Sequence, residues 1–211
     1  MLRKQIKAKI AELKSMIAEG GSTEAVFEAW TAWINENAKE VAPTYIELYT
    51  DVIERMLPRV KKEVDSDVEV PEDRINGFAS EYTNSLMARH TGYVHNRVSG
   101  VLGTENFDDA MDSMEQDYPT IESKEEVNRS YNAFSVFLYG ALGLEYMHSV
   151  AHSDACAFCQ KLDGKVCSVN GYVLDKGSDM EDGDGNIRHI KKNYRHPPYH
   201  SSCSCFMAPG K

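Results

Sequence analysis

Cysteine is absent from the first 155 residues of this 211-residue chain; all five stand in its last third. Long apolar runs are absent throughout, so no segment reads as a helix crossing a bilayer, and no membrane partner is expected. The N-terminus, Met-Leu-Arg-Lys-Gln-Ile-Lys, lacks the apolar core and cleavage site of a secretory signal. The expected compartment is therefore cytoplasmic, where thiols stay reduced. An odd number of cysteines also makes a poor disulfide framework, which turns attention to metal. Positive charge is in short supply: 23 Lys and Arg stand against 33 Asp and Glu, a formal net charge of −10. Such a chain is not built to coat DNA along its whole surface, and any nucleic-acid contact would have to be local. Internal repeats and long low-complexity tracts are also missing, which excludes solenoid and linker-like architectures.

What is present is an ordinary globular composition, 42% hydrophobic and 27% charged. The first 150 residues read mainly as helices. Ile6, Ile10, Leu13 and Ile17 recur at helical spacing, Gly20-Gly21 stops that helix, and Ser22 is placed to cap the next. Val26, Phe27, Trp30, Trp33 and Ile34 mark a second helix. Pro43 is expected to start a third, carrying Tyr45, Leu48, Tyr49, Val52, Ile53 and Met56, with Pro58 kinking or ending it. Residues 65–71 read as a connector before a long helix from Glu72 to about Leu102.

A short acidic helix, Asn106 to Tyr118, is expected to end near Pro119. Glu105, Asp108, Asp109, Asp112, Glu115, Asp117, Glu122, Glu125 and Glu126 make this stretch a solvated face. From Ser123 a further helix carries Val127, Tyr131, Phe134, Leu138 and Leu142, ending at Gly143. Residues 144–151 read as a strand, Val166 and Tyr172–Leu174 as two more, and 177–186 as a polar glycine-rich loop. The fold class is α+β: a helical N-terminal region, 1–119, and a small zinc-stapled α+β domain, 120–211.

The chemistry lies in two clusters about forty residues apart, Cys156-Ala-Phe-Cys159 and His200-Ser-Ser-Cys203-Ser-Cys205. Two soft-ligand pairs joined by one long loop suit a structural tetrahedral Zn²⁺ site. A closed shell takes four of the five candidates Cys156, Cys159, His200, Cys203 and Cys205. If residues 203–205 form a regular strand, Cys203 and Cys205 point to opposite faces. The first choice is then Cys156, Cys159, His200 and one of the last two, with Cys205 preferred. Cys167 reads as a bystander.

A redox role for Cys156-x-x-Cys159 would need a thioredoxin-like βαβ context, which is missing. A catalytic zinc would recruit His189, His196 or Glu181 from the intervening loop, as in a zinc-stabilised nuclease with His189 or His196 as general base. Asp182-Gly-Asp-Gly-Asn186 lacks the closing glutamate of a calcium loop and reads as a flexible turn. Arg188, Lys191, Lys192 and Arg195 form a basic run around Tyr194, available for a local DNA contact or for neutralising Asp179, Glu181, Asp182 and Asp184. An adaptor whose acidic helices bind a basic partner is a further reading of the charge.

Four blocks carry a resemblance: Asn128-Arg-Ser-Tyr-Asn132, Gly143-Leu-Glu-Tyr-Met-His148, Asp154 through Val166 with its Leu162-Asp-Gly-Lys-Val166, and Pro197-Pro-Tyr-His200-Ser-Ser-Cys203-Ser-Cys205. In order and spacing they resemble the phage head morphogenesis family, the Mu F-like minor capsid proteins, over roughly residues 120 to 208. Ser201-Ser202 and Ser204 stand where that family usually has Pro-Asn and Arg. The resemblance implies a minor component of a tailed-phage or prophage virion, without enzymatic activity. It implies contact with the portal and with capsid or scaffold proteins, entry into the procapsid from the host cytoplasm, and a link to DNA packaging or ejection.

Overall fold

The computed structural model describes residues 2–101 and 104–210. Four long helices come first: α1 (Leu2–Ala18), α2 (Thr23–Glu63), α3 (Glu72–Val101) and α4 (Phe107–Ala141). Then follow β1 (Tyr146–Val150), α5 (Ala157–Lys161), β2 (Val166–Ser168), β3 (Asp179–Glu181), β4 (Ile187–His189) and β5 (Phe206–Pro209). The α+β class expected from the sequence is what the chain adopts.

The helix ends follow local chemistry. After α1, Gly20 takes φ +85°, the Gly20 amide bonds Ile17 O at 3.0 Å and the Gly21 amide bonds Met16 O at 2.8 Å. This paired closure needs a left-handed residue, which glycine supplies without a Cβ penalty. Ser22 Oγ then accepts the Ala25 amide at 3.2 Å and caps α2. Gly143, φ +88°, ends α4 in the same way, with Leu144 N bonded to Tyr139 O at 3.0 Å.

The prolines do not behave as the sequence suggests. Helix α2 continues through Pro43 and Pro58, and α4 continues through Pro119. Each loses one backbone hydrogen bond, a cost of about 3 kcal/mol or more. In α2, Val26, Trp30 and Ile34 are buried before Pro43, Tyr49 and Ile53 between the two prolines, and Val60 after Pro58. In α4, Phe107 is buried before Pro119, and Phe134 and Leu138 after it. The residue proposed to close α3, Leu102, lies outside the described residues, as does the side chain of Ile6.

Two compact units emerge. The first comprises Met1–Thr50 and Asn76–Thr120; the second comprises Asp51–Ile75 and Ile121–Lys211. The segment 51–75 thus belongs with the C-terminal part, although it lies far from it in sequence. The first unit buries Ile10 and Leu13 of α1, Val26, Trp30 and Ile34 of α2, Val98 of α3 and Phe107 of α4 in one cluster. Part of its acidic face is paired: Lys14 reaches Asp108 at 3.1 Å and Asp112 at 3.0 Å.

In the second unit α4 buries Phe134, Leu138 and Tyr139, Leu142 is buried just after it, and segment 51–75 buries Ile53, Val60, Val70 and Ile75. Its sheet is antiparallel with order β2-β1-β5, pairing Met147 with Cys167 on one side and Ser149 with Met207 on the other. Met147, Ser149 and Met207 are buried. The expected strand at 172–174 is reduced to an isolated bridge between Leu174 and Tyr194. The expected loop at 177–186 instead contains β3, which pairs with β4 in a small hairpin.

Candidate metal centre

The first cysteine pair sits on a tight helical turn. Cys156 is the extended N-cap of α5, with φ −67° and ψ 163°, and Cys159 follows within that short helix. The Gln160 amide bonds Cys156 O at 2.9 Å, closing the turn between the two sulfurs. The Leu162-Asp-Gly-Lys segment ties this knuckle to β1. Leu162 is fully buried, Asp163 Oδ1 accepts the Ala151 amide at 2.8 Å, and the Gly164 amide bonds Ser149 O at 2.8 Å. Gly164 has φ +71°, a conformation costly for any residue with a Cβ.

The second cluster is anchored from three sides. Buried Tyr199 donates its hydroxyl to Ser149 Oγ at 2.9 Å. The Cys203 amide bonds His200 O at 3.2 Å across a turn in which Ser202 takes φ 61°. On α4, Asn128 donates to Cys203 O, Asn132 Nδ2 donates to Cys205 O at 3.2 Å, and Asn132 Oδ1 accepts the Met207 amide at 2.8 Å.

The five candidate donors gather in two overlapping groups. Cys156, Cys159 and His200 form one, and Cys159, Cys203 and Cys205 the other; within each, the ligand atoms lie within 4.8 Å of one another. Cys159 belongs to both. His200 Nε2 lies 3.2 Å from Cys156 Sγ and 3.0 Å from Cys159 Sγ, and Cys159 Sγ lies 3.7 Å from Cys203 Sγ. Thiolates about 2.3 Å and imidazole about 2.0–2.1 Å from one zinc would stand about 3.5–3.8 Å apart at the corners of a tetrahedron. The sulfur–sulfur distance already matches such an edge, and the sulfur–nitrogen distances need to open by only a few tenths of an ångström. His200 Nδ1 faces Ser201 O at 2.7 Å. A carbonyl can only accept, so the proton sits on Nδ1 and the Nε2 lone pair faces the sulfurs, as a ligand requires.

Cys203 and Cys205 are not held on opposite faces. Residues 203–205 lie outside any strand, which begins only at Phe206, and the left-handed Ser202 turns the chain just before them. Both cysteines are buried and both sulfurs reach Cys159. Hydrogen bonds from Cys159 and then Cys205 hold the Cys203 thiol far below the ordinary range, and the same Cys203 contact pushes Cys159 far above it.

Cys167, on β2, belongs to neither group, and burial raises its thiol pKa. His189 is exposed on β4, its Nδ1 2.9 Å from Asp179, and His196 Nδ1 lies 2.6 Å from Pro197 O. Among the described residues, neither histidine falls within a donor group. Three cations of the basic run are engaged within the domain. Arg188 lies 4.7 Å over the Phe158 ring, Lys192 lies 4.9 Å over Tyr194, and Arg195 donates to Val169 O at 3.0 Å; Lys191 is exposed.

The Asp182-to-Asn186 turn is organised by its own first residue. Buried Asp182 accepts the amides of Asp184 at 3.0 Å and Asn186 at 2.9 Å. These bonds, led by the Asn186 amide, lower its pKa against the opposing effect of burial. Because the folded pKa is depressed, the stabilisation is present above the unfolded carboxyl pKa of 3.8 and is lost as pH falls through the lower folded value. Hydrogen exchange at the Asp184 and Asn186 amides should therefore accelerate, relative to the β1 amides, only when the solution is taken below that range. An Asp182→Ala variant should show the same acceleration at neutral pH.

The chain matches no family model, no curated protein and no solved structure.

The Cys/His donors were readable from spacing; their supports were not. Asn132 is fully buried in α4, with Asn128 one turn before it and buried Ser135 three residues after, and these polar positions in an apolar stretch were the available signal. Nothing local connects Ser149 with Tyr199, fifty residues away.

Proposed function

We propose that the protein is a minor head protein of a tailed phage or prophage, acting by binding rather than by catalysis. In this reading it associates with the portal and with capsid or scaffold proteins inside the procapsid, and it aids DNA packaging or ejection. The observation that carries the reading is the convergence of the four blocks of the resemblance. Asn128 and Asn132 hold the backbone of Cys203 and Cys205, Met147 and His148 lie on the strand beside β2, Asp163 and Gly164 fasten the first knuckle, and Tyr199 and His200 complete the second. Residues scattered over some eighty positions thus serve one centre, as expected if the blocks are a domain signature rather than a chance series.

The metal proposed for the centre is Zn²⁺ in a structural role. Four or more sulfur and nitrogen donors, three of them buried cysteines, suit a closed d¹⁰ site. When bound, the ion cross-links α5 to the segment before β5. The residues of that segment, from His200 to Cys205, belong to no strand or helix of their own. Lys191, exposed like Arg188, Lys192 and Arg195, is the cation of the basic run placed for a local DNA contact.

Particles from a host carrying the gene provide the test. Procapsids and filled heads, banded separately and probed with an antibody to this protein, should both carry it, at far fewer copies than the major shell protein. Deletion of the gene should leave particles that assemble but deliver DNA poorly. Absence from both particle fractions, with normal infectivity after deletion, would contradict the reading.

A further inference from the structure

Helix α4 grips the second cluster through three side chains on one face. Glu125 Oε1 accepts the Ser201 hydroxyl at 2.6 Å, Asn128 donates to Cys203 O, and Asn132 donates to Cys205 O and accepts from the Met207 amide. Positions 125, 128 and 132 are three and four apart, the spacing that aligns side chains along a helix. Their partners, 201, 203, 205 and 207, are every second residue of the facing segment. The match of the two periods lets one helix face read out four alternate positions of a segment that belongs to no strand or helix until Phe206.

The two asparagines are themselves coupled. Asn132 Nδ2 lies 2.8 Å from Asn128 Oδ1 and 2.9 Å from Asn128 O. An amide oxygen occupied in this way leaves the Asn128 NH₂ to face the Cys203 carbonyl, so the orientation of one side chain sets that of the other. Every bond from the pair to the facing segment falls on a main-chain group, at Cys203, Cys205 or Met207. None of these bonds engages the Cys203 or Cys205 sulfur, and both sulfurs lie within 4.8 Å of Cys159 Sγ.

We propose that Asn128 and Asn132 are positioning residues of the metal centre, fixing the Cys203 and Cys205 carbonyls so that both thiolates meet the ion without reorganisation; this rests on the metal reading above. Outer partners that orient ligands typically contribute 10–100-fold in metal affinity. Glu125 accepts the Ser201 hydroxyl and pairs with Arg129 at 3.6 Å, touching neither the Cys203 nor the Cys205 backbone, and serves as the control.

The test uses the full chain and zinc alone, with affinity measured by competition against a chromophoric chelator and ligand geometry read from the absorption of the Co²⁺-substituted protein. Asn128→Ala, at a half-buried position, and Asn132→Asp, which keeps the acceptor for Met207 but loses the donor to Cys205, should each weaken zinc about 10–100-fold. Both should also alter the Co²⁺ thiolate charge-transfer and ligand-field bands. Glu125→Gln, still able to accept from Ser201, should leave affinity and spectrum unchanged. If Asn132→Asp does not fold, Asn128→Ala decides alone. Wild-type zinc binding with both variants within twofold of it overturns the positioning role. So does weaker binding with an unaltered Co²⁺ spectrum and a matching loss of stability in the metal-free protein, the signature of a merely structural contact. Failure of the wild-type chain to bind zinc overturns the metal reading itself, which is a separate outcome.

Discussion

Replacing Cys159 by serine should abolish metal binding and unfold the C-terminal segment, while Cys167→Ser should do neither. Cys159 is the one donor common to both groups, so no set of four drawn from the five can exclude it without breaking both. Structural zinc sites carry apparent binding free energies of about 10–16 kcal/mol in small zinc-binding peptides at neutral pH, and where the unfolded chain holds no site that energy becomes folding energy. The serine hydroxyl cannot replace a thiolate toward a soft cation. The variant should therefore carry no zinc after dialysis and lose protection of the α5 and β5 amides in hydrogen exchange. Cys167 lies on β2 outside the donor groups, and its variant should retain wild-type metal content and melting. Equal metal content in the two variants would remove Cys159 from the centre.

The second large effect is expected in the helical unit. Trp30 is fully buried among Leu13, Val26, Ile34 and Val98, and it stacks on Trp33 with ring centroids 5.2 Å apart. Trp30→Ala should destabilise this unit by about 3–5 kcal/mol, the usual cost of truncating a large buried aromatic. Trp30→Phe should cost clearly less, for a specific reason. The indole Nε1 is buried with no hydrogen-bond partner among the described residues, and an unsatisfied buried donor costs about 1–3 kcal/mol. Phenylalanine removes that donor while refilling most of the space. Urea unfolding followed by helical circular dichroism measures both values, and zinc content should be unchanged in either variant. A Trp30→Phe variant as unstable as Trp30→Ala would mean that the indole nitrogen has a partner.

The parts of this molecule that were legible in the sequence are those decided within a few residues. Gly20 and Gly143 end helices because a left-handed position selects glycine locally, and Ser22 caps α2 through its own side chain. The CxxC and HxxCxC spacings are likewise short-range. Local rules misread Pro43, Pro58 and Pro119, through which α2 and α4 run on, because a proline removes only one hydrogen bond from a long helix. The β3–β4 hairpin escaped notice for the opposite reason. Its strands have three residues each, and Ile187 is 71% exposed, so no alternation marks it; its turn is held by Asp182 instead. That Cys203 and Cys205 both reach Cys159 follows from the irregular backbone of residues 203–205, which their spacing does not encode. The inclusion of segment 51–75 in the C-terminal unit and the Asn128–Asn132 grip join positions about seventy or more residues apart, beyond the reach of any local pattern.

The central claim is that a bound ion, not the apolar core alone, holds residues 156–205 in place. Elemental analysis of protein purified without chelator, repeated after an excess of chelator while amide exchange is followed, tests it directly. The account predicts about one zinc per chain, as for a single four-ligand site, and loss of protection in α5 and around Cys203 and Cys205 when the zinc is stripped. Protein that carries no thiophilic metal, and whose α5 and β5 amides exchange equally slowly with and without chelator, would contradict it.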